Sequence, residues 1–183
     1  MSATLAQAPG NRWNLVLNAV LFQAGWFACV LGAAKGLAAP GVAVAAVIIA
    51  WHLNCAARRA PEARLITLVM VVGLVFETAM LQSGLVTFAA PLWIDGLAPG
   101  WIVALWAIFA TTLNVSMRWL RDRMWLAVVL GAVSGPLTYY GGERLGALAF
   151  TDSGLALGVI ALAWAVITPL VMYLAARSDG YSA

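Results

Sequence analysis

The sequence predicts an all-α polytopic membrane protein, a bundle of six transmembrane helices with both termini on the cytoplasmic side. Three observations predict it. First, 64% of the 183 residues are hydrophobic and only 9% are charged, against about 25% charged in a typical soluble domain. Most of its surface would therefore prefer lipid to water. Second, the apolar residues form continuous runs of about twenty, the length a helix needs to cross a hydrocarbon core of about 30 Å. A barrel would instead show segments of about ten residues with alternating hydrophobicity. Third, the cations are asymmetric. Arg12, Arg58, Arg59, Arg64, Arg118, Arg121, Arg123 and Arg177 fall on one side of an alternating six-helix path, and only Lys35 and Arg144 fall on the other. By the positive-inside rule the arginine side is cytoplasmic.

The chain reads as one integral membrane domain over residues 1–183, with cytoplasmic tails at 1–12 and 177–183. Helix 1 is expected over 13–34. Polar Asn14, Asn18 and Gln23 interrupt its apolar run, so it reads as a retained span and not as a cleaved leader. A turn at Lys35-Gly36 precedes helix 2, over 40–57. The run Arg58-Arg59-Ala60-Pro61-Glu62-Ala63-Arg64 reads as a charged loop, and helix 3 follows over 65–83. Between Gly84 and Pro99, the breakers Pro91, Asp95, Gly96 and Pro99 mark a longer connection. Its apolar part, Leu85 to Trp93, is too short to span and is placed at the interface. Helix 4 is expected over 100–120 and helix 5 over 124–148, bent at Pro136 where an amide donor is missing. Helix 6 is expected over 155–176, interrupted by Pro169. Helices 1–3 show no sequence similarity to helices 4–6 of the kind that marks an inverted-repeat transporter.

Ionisable groups inside apolar spans are costly and point to function by default. Here they are Glu77 and His52. At a rise of about 1.5 Å per residue, Glu77 lies roughly 18 Å and His52 roughly 8 Å from the arginine-side edge, so the two are not expected to pair. Asn18, Thr111, Thr112 and Asn114 fall near the height of His52. Gln23, Trp106, Ser134 and Tyr139 fall nearer Glu77. A polar pocket within the bundle is therefore expected from Glu77, Gln23, Trp106 and Tyr139, with His52 and Asn18 as further binding candidates. Each has a structural alternative. Glu77 could be a neutral acid bonded within the bundle, and Asn14 and Asn18 could bridge helices. The glycines of helix 5 (Gly131, Gly135, Gly141, Gly142, Gly146) read as close-packing positions. Trp13, Trp93, Trp119 and Trp125 belong to an interfacial belt, while Trp26, Trp106 and Trp164 lie deep enough to line a pocket.

No phosphate-cradling glycine loop, Cys/His metal cluster or Gly-x-Ser-x-Gly elbow is present. No metal or cofactor is expected, and the chain reads more readily as a non-enzyme. Cys29 and Cys55 suggest no disulfide framework. The net charge of +3 forms no basic stripe, which argues against nucleic acid as a partner.

The run Asn18-Ala-Val-Leu-Phe22-Gln23-Ala-Gly25-Trp26-Phe27-Ala-Cys-Val30 resembles the opening of a bacterial integral membrane family, domain of unknown function DUF2878. The likeness continues through Trp51-His52-Leu53, the acid at Glu77, Leu105-Trp106, and Phe109 to Leu113. Gly135-Pro136-Leu137, Tyr139, Gly142 and Leu145-Gly146-Ala147 complete it. The family commonly has Asp where this chain has Glu77, and often His where this chain has Val115. The resemblance implies a location in the bacterial inner membrane. It also implies a lipid-related role, since the genes of similar proteins often lie near genes for modifying fatty acyl chains. Three functions are carried forward: binding or handling of a lipid or small amphiphile; small-solute or proton-coupled transport; and a scaffold holding a soluble partner through Arg58–Arg64.

Overall fold

The computed structural model describes residues 12–90 and 94–182, with only the backbone of Arg12 and Trp13. The tail before Arg12, the stretch Pro91 to Trp93 and the side chain of Trp13 lie outside the described residues. Six α-helices dominate: α1 (Arg12–Ala34), α2 (Ala38–Cys55), α3 (Arg59–Gln82), α4 (Gly100–Leu113), α5 (Met124–Arg144) and α6 (Ser153–Arg177). All but α4 are long and apolar enough to cross a membrane. Their outward side chains are the inverse of a soluble surface: Val47, Leu162 and Val166 are each about two-thirds exposed or more. α4 spans only about 21 Å at 1.5 Å per residue. It is nonetheless the central helix, packed by α1, α2 and α3 and touched by α6. Eleven of its residues are buried.

Several boundaries differ from expectation, each for a physical reason. The charged run Arg58–Arg64 is not a loop: α3 begins at Arg59. Pro61 occupies its first turn, where a missing N–H costs nothing, and Glu62 complements the positive end of the helix dipole. α4 stops at Leu113, not residue 120, and a turn and a short 3-10 helix (Arg118–Leu120) follow. Thr111 and Thr112 donate their hydroxyls back to the carbonyls of Ile108 and Phe109, both at 2.7 Å, offering the last turn alternatives to continued helix. α6 runs uninterrupted through Pro169, and α5 through Pro136.

α5 ends at Arg144, not residue 148, because Gly146 takes φ 84° and closes the helix. The residues beyond it form β2 (Leu148–Phe150), which pairs antiparallel with β1 (Val86–Phe88) from the segment placed at the interface by sequence. The register is Val86 to Phe150, Thr87 to Ala149 and Phe88 to Leu148. The pairing satisfies backbone groups that lipid could not. This small sheet is the one departure from an all-helical architecture among the described residues.

The sheet also exposes an internal repeat of a different kind from the one sought in sequence. α3–β1–α4 and α5–β2–α6 are two copies of one helix–strand–helix unit. Gly73 lies against the indole of Trp106 from α4, and Gly135 against the indole of Trp164 from α6. Just past the end of each helix, Gly84 and Gly146 take φ 72° and 84°, and each is followed by a three-residue strand with the same burial pattern. The register is symmetric about Thr87 and Ala149. Equivalent side chains meet across that axis: Trp106 stacks on Trp164 with ring centroids 5.0 Å apart, and Tyr139 donates to Glu77. A Cβ at Gly73 would overlap the Trp106 ring. Gly73→Ala is therefore expected to displace that indole and cost about 1–3 kcal/mol, measured by unfolding in mixed micelles. An unchanged stability would mean the two helices separate at no cost.

Candidate functional site

The deepest acid sits five residues before the end of α3, about 8 Å from that end. That distance is close to expectation, but because α3 starts at Arg59 the acid lies about 27 Å from the arginine-side end and not roughly 18 Å. Glu77 is 1% exposed. Its Oε1 accepts the indole N–H of Trp106 at 2.8 Å and the phenol of Tyr139. Its Oε2 is buried with no hydrogen-bond partner among the described residues. The carboxyl forms part of the wall of an apolar groove of about 370 Å³. One side of the groove is α1 and α4 (Phe22, Trp26, Leu105, Phe109); the other is α5 and α6 (Leu130, Ser134, Trp164). A buried acceptor without a donor loses hydration with nothing in return, so this oxygen is the unsatisfied point of the groove.

A second polar cluster closes the arginine-rich end. Glu62, fully buried, is its centre. His52 Nε2 lies 2.8 Å from Oε2, while Oε1 accepts from Asn114 Nδ2 and from the Gly180 amide at 2.8 Å. The segment after α6 folds back over this centre. Tyr181 donates its hydroxyl to the His52 carbonyl at 2.8 Å, and burial pushes its phenol above the ordinary range, with Cys55 and Glu62 adding to the shift. Asp179 binds Arg118 at 2.7 Å and Arg121 at 2.8 Å. Residues 178–182, expected as a tail, are thus a packed strap. Asn18, on α1, donates to the Thr111 carbonyl at 3.1 Å and accepts the Ser116 hydroxyl at 2.7 Å, bridging α1 to the turn after α4.

A family model described as "Protein of unknown function (DUF2878)" matches residues 15–170. The chain belongs to the DUF2878 family. No curated protein and no solved structure matches it. Within the DUF2878 span lie Glu77, Trp106, Tyr139, His52, Asn18, Glu62 and Asn114, whereas the strap residues Asp179 and Tyr181 lie beyond it. Of the candidate residues, Trp106 and Tyr139 meet Glu77 directly. Gln23 does not: it is exposed on the outer face of α1. His52 and Asn18 belong to the arginine-rich end, and His52 pairs with Glu62, not with Glu77. Trp26, Trp106 and Trp164 all line the groove, as their depth implied. Trp119 and Trp125 are more than half exposed at the arginine-rich end.

The strap carries a pH signature. Burial raises the Asp179 carboxyl, but the hydrogen bonds from Arg121 and the Tyr181 amide, with the charges of Arg121 and Arg118, outweigh it and hold it below its ordinary value of 3.8. A depressed carboxyl contributes stability in full above its unfolded value and loses it as pH falls through the lower folded one. The strap is therefore expected to stay closed at every pH above about 4 and to open only in stronger acid. Asp179→Asn should open it at neutral pH. Carboxypeptidase digestion checks this: Tyr181 should be removed rapidly from the variant and slowly from the wild type.

Proposed function

We propose that this DUF2878 protein resides in the bacterial inner membrane, crosses it six times with both termini cytoplasmic, and binds a lipid or small amphiphile in the groove beside Glu77. The arginine asymmetry supports the orientation. The central position of α4, shielded from lipid by its neighbours, supports counting it as a span despite its length.

One observation carries the binding reading: an apolar groove lined in part by Glu77, whose Oε2 is buried without a donor among the described residues. A ligand with an apolar tail and a hydroxyl or amine head would place the tail along Phe22, Leu105 and Phe109 and give its proton donor to Oε2. Trp106 and Tyr139 hold the carboxyl in place through its other oxygen.

The test is native mass spectrometry of gently extracted protein beside Glu77→Gln, which keeps the shape but aims an N–H₂ donor where the acceptor was. The wild type should retain a bound amphiphile, and the variant should lose at least about tenfold of that occupancy, the equivalent of 1.4 kcal/mol. Equal occupancy in the two proteins removes Glu77 from the site.

The helix–strand–helix repeat favours a second reading, proton-coupled transport of a small solute. Parallel repeats related by an axis along the membrane normal build several transporters, with the site at the repeat interface. Glu77 and Tyr139 occupy that interface here. In proteoliposomes, dissipation of a pH gradient that Glu77→Gln abolishes would select this reading over simple binding.

A further inference from the structure

A second cavity, also of about 370 Å³, opens at the arginine-rich end between α1, α2 and the turn after α4. It is separate from the groove beside Glu77; only Ser116 among the described residues lines both. Its walls mix two characters. Leu15 and Leu17, more than a third exposed, continue the outward apolar face of α1. Asn14, Trp51, Arg118 and Trp119, side chains that carry N–H donors, also line it.

Arg118 is the decisive group. Its Nη2 holds Asp179 at 2.7 Å, while its Nη1 is buried without a hydrogen-bond partner among the described residues. A guanidinium keeps its proton under all ordinary conditions, so this N–H can be satisfied only by an acceptor brought to it. Within the triad of Arg118, Arg121 and Asp179, one positive charge is in excess. Arg118 and Arg121 share the single carboxylate of Asp179, and His52 and Glu62 are occupied with each other. The remaining acid, Asp122, lines the rim, where it is exposed to solvent. Tryptophans at Trp51 and Trp119 suit a position where one edge of a side chain is apolar and the other wet.

We propose that this cavity holds the phosphate of an anionic phospholipid headgroup. Arg118 Nη1 and the Asn14 amide are its donors, with the acyl chains leaving past Leu15 and Leu17 along the outside of α1. Basic pockets between membrane helices take anionic headgroups on the cytoplasmic side in this way, and a guanidinium suits phosphate geometry better than an ammonium would.

The experiment is native mass spectrometry of the full chain, titrated in detergent with phosphatidylglycerol, with phosphatidylcholine, and with inorganic phosphate. The wild type should retain phosphatidylglycerol about five- to tenfold better than phosphatidylcholine, the scale of one cation near a lipid headgroup. Arg118→Gln should erase that preference. Asp179→Asn opens the strap, and with it the Tyr181 wall of the cavity, but leaves the Arg118 guanidinium and the Asn14 amide in place, so the preference should persist. Asn14→Leu, at a half-buried position outside the strap network, should lower it by a smaller factor, and decides the matter if Arg118→Gln does not fold. Equal retention of the two lipids overturns the proposal, as does a loss of preference in Asp179→Asn equal to that in Arg118→Gln. Displacement of phosphatidylglycerol by millimolar inorganic phosphate overturns the lipid assignment in favour of a free anion. None of these variants touches Glu77, so a failure here leaves the groove reading standing.

Discussion

Glu62→Ala is expected to destabilise the protein by about 3–5 kcal/mol, the range for removing one partner of a buried, hydrogen-bonded charge cluster. The carboxylate is fully buried and satisfies three donors from three parts of the chain: His52 on α2, Asn114 at the end of α4 and the Gly180 amide in the strap. Alanine would leave all three facing an empty space, each losing a partner while remaining desolvated. Two consequences should appear together: a lower unfolding free energy in mixed micelles, and a strap open to carboxypeptidase. Glu62→Gln is the informative companion. Its amide oxygen can still accept from Asn114 and Gly180, but its N–H₂ would meet His52. It should recover part of the loss and keep the strap closed. If Glu62→Ala unfolds like the wild type, the cluster is only surface decoration on a bundle held elsewhere.

The importance of Glu62 was hard to read from the sequence because its neighbours are Arg58, Arg59 and Arg64, and a dense charge run ordinarily marks solvated backbone. The signal that was present was a helix start: a proline followed by an acid, just ahead of an apolar periodic stretch. The strap was opaque for another reason. Ser178 to Ser182 has neither periodicity nor apolar length, and its packing depends on partners from 58 to 129 residues away. The helices themselves were legible because lipid demands long apolar runs. Their ends were less so, since a three-residue strand such as Leu148–Phe150 is too short to show alternation.

Within the groove, depth along each helix was readable and rotation about it was not. Counting residues placed Trp106 and Tyr139 level with Glu77, and they meet it. The same counting placed Gln23 there too, although it faces outward. Five residues separate it from inward-facing Asn18, and at 3.6 residues per turn that rotates it about 140° away. The hairpin repeat escaped for a similar reason. Only a few glycines and tryptophans repeat in type (Gly73 with Gly135, Gly84 with Gly146, Trp106 with Trp164), while Glu77 with Tyr139 and β1 with β2 correspond in position alone.

Trp106→Ala should be the most damaging change in the groove. The indole is 3% exposed, covers Gly73, stacks on Trp164 and meets Phe76 and Phe109 edge-on, both with ring centroids at 6.2 Å. Large-to-small changes at buried aromatic positions cost about 3–5 kcal/mol in water-soluble cores. In a bilayer the transfer part of that cost shrinks, because lipid is as apolar as the protein interior. The lost dispersion contacts around the vacated space remain, so about 3 kcal/mol is expected. Trp106→Phe divides the effect. It keeps a ring over Gly73 but removes the N–H, leaving Glu77 Oε1 with Tyr139 as its donor, so the loss should be that of one hydrogen bond, about 0.5–1.5 kcal/mol. Because Tyr139 serves the same oxygen, Trp106→Phe with Tyr139→Phe should cost more than the sum of the single changes, a coupling that the double-mutant cycle reads directly. Additive losses would show that the two donors act independently and that Glu77 is not held by them as a pair. A Trp106→Phe loss as large as that of alanine would show that the hydrogen bond to Glu77, made within one unit, and not the indole stacked across on Trp164, carries the stability.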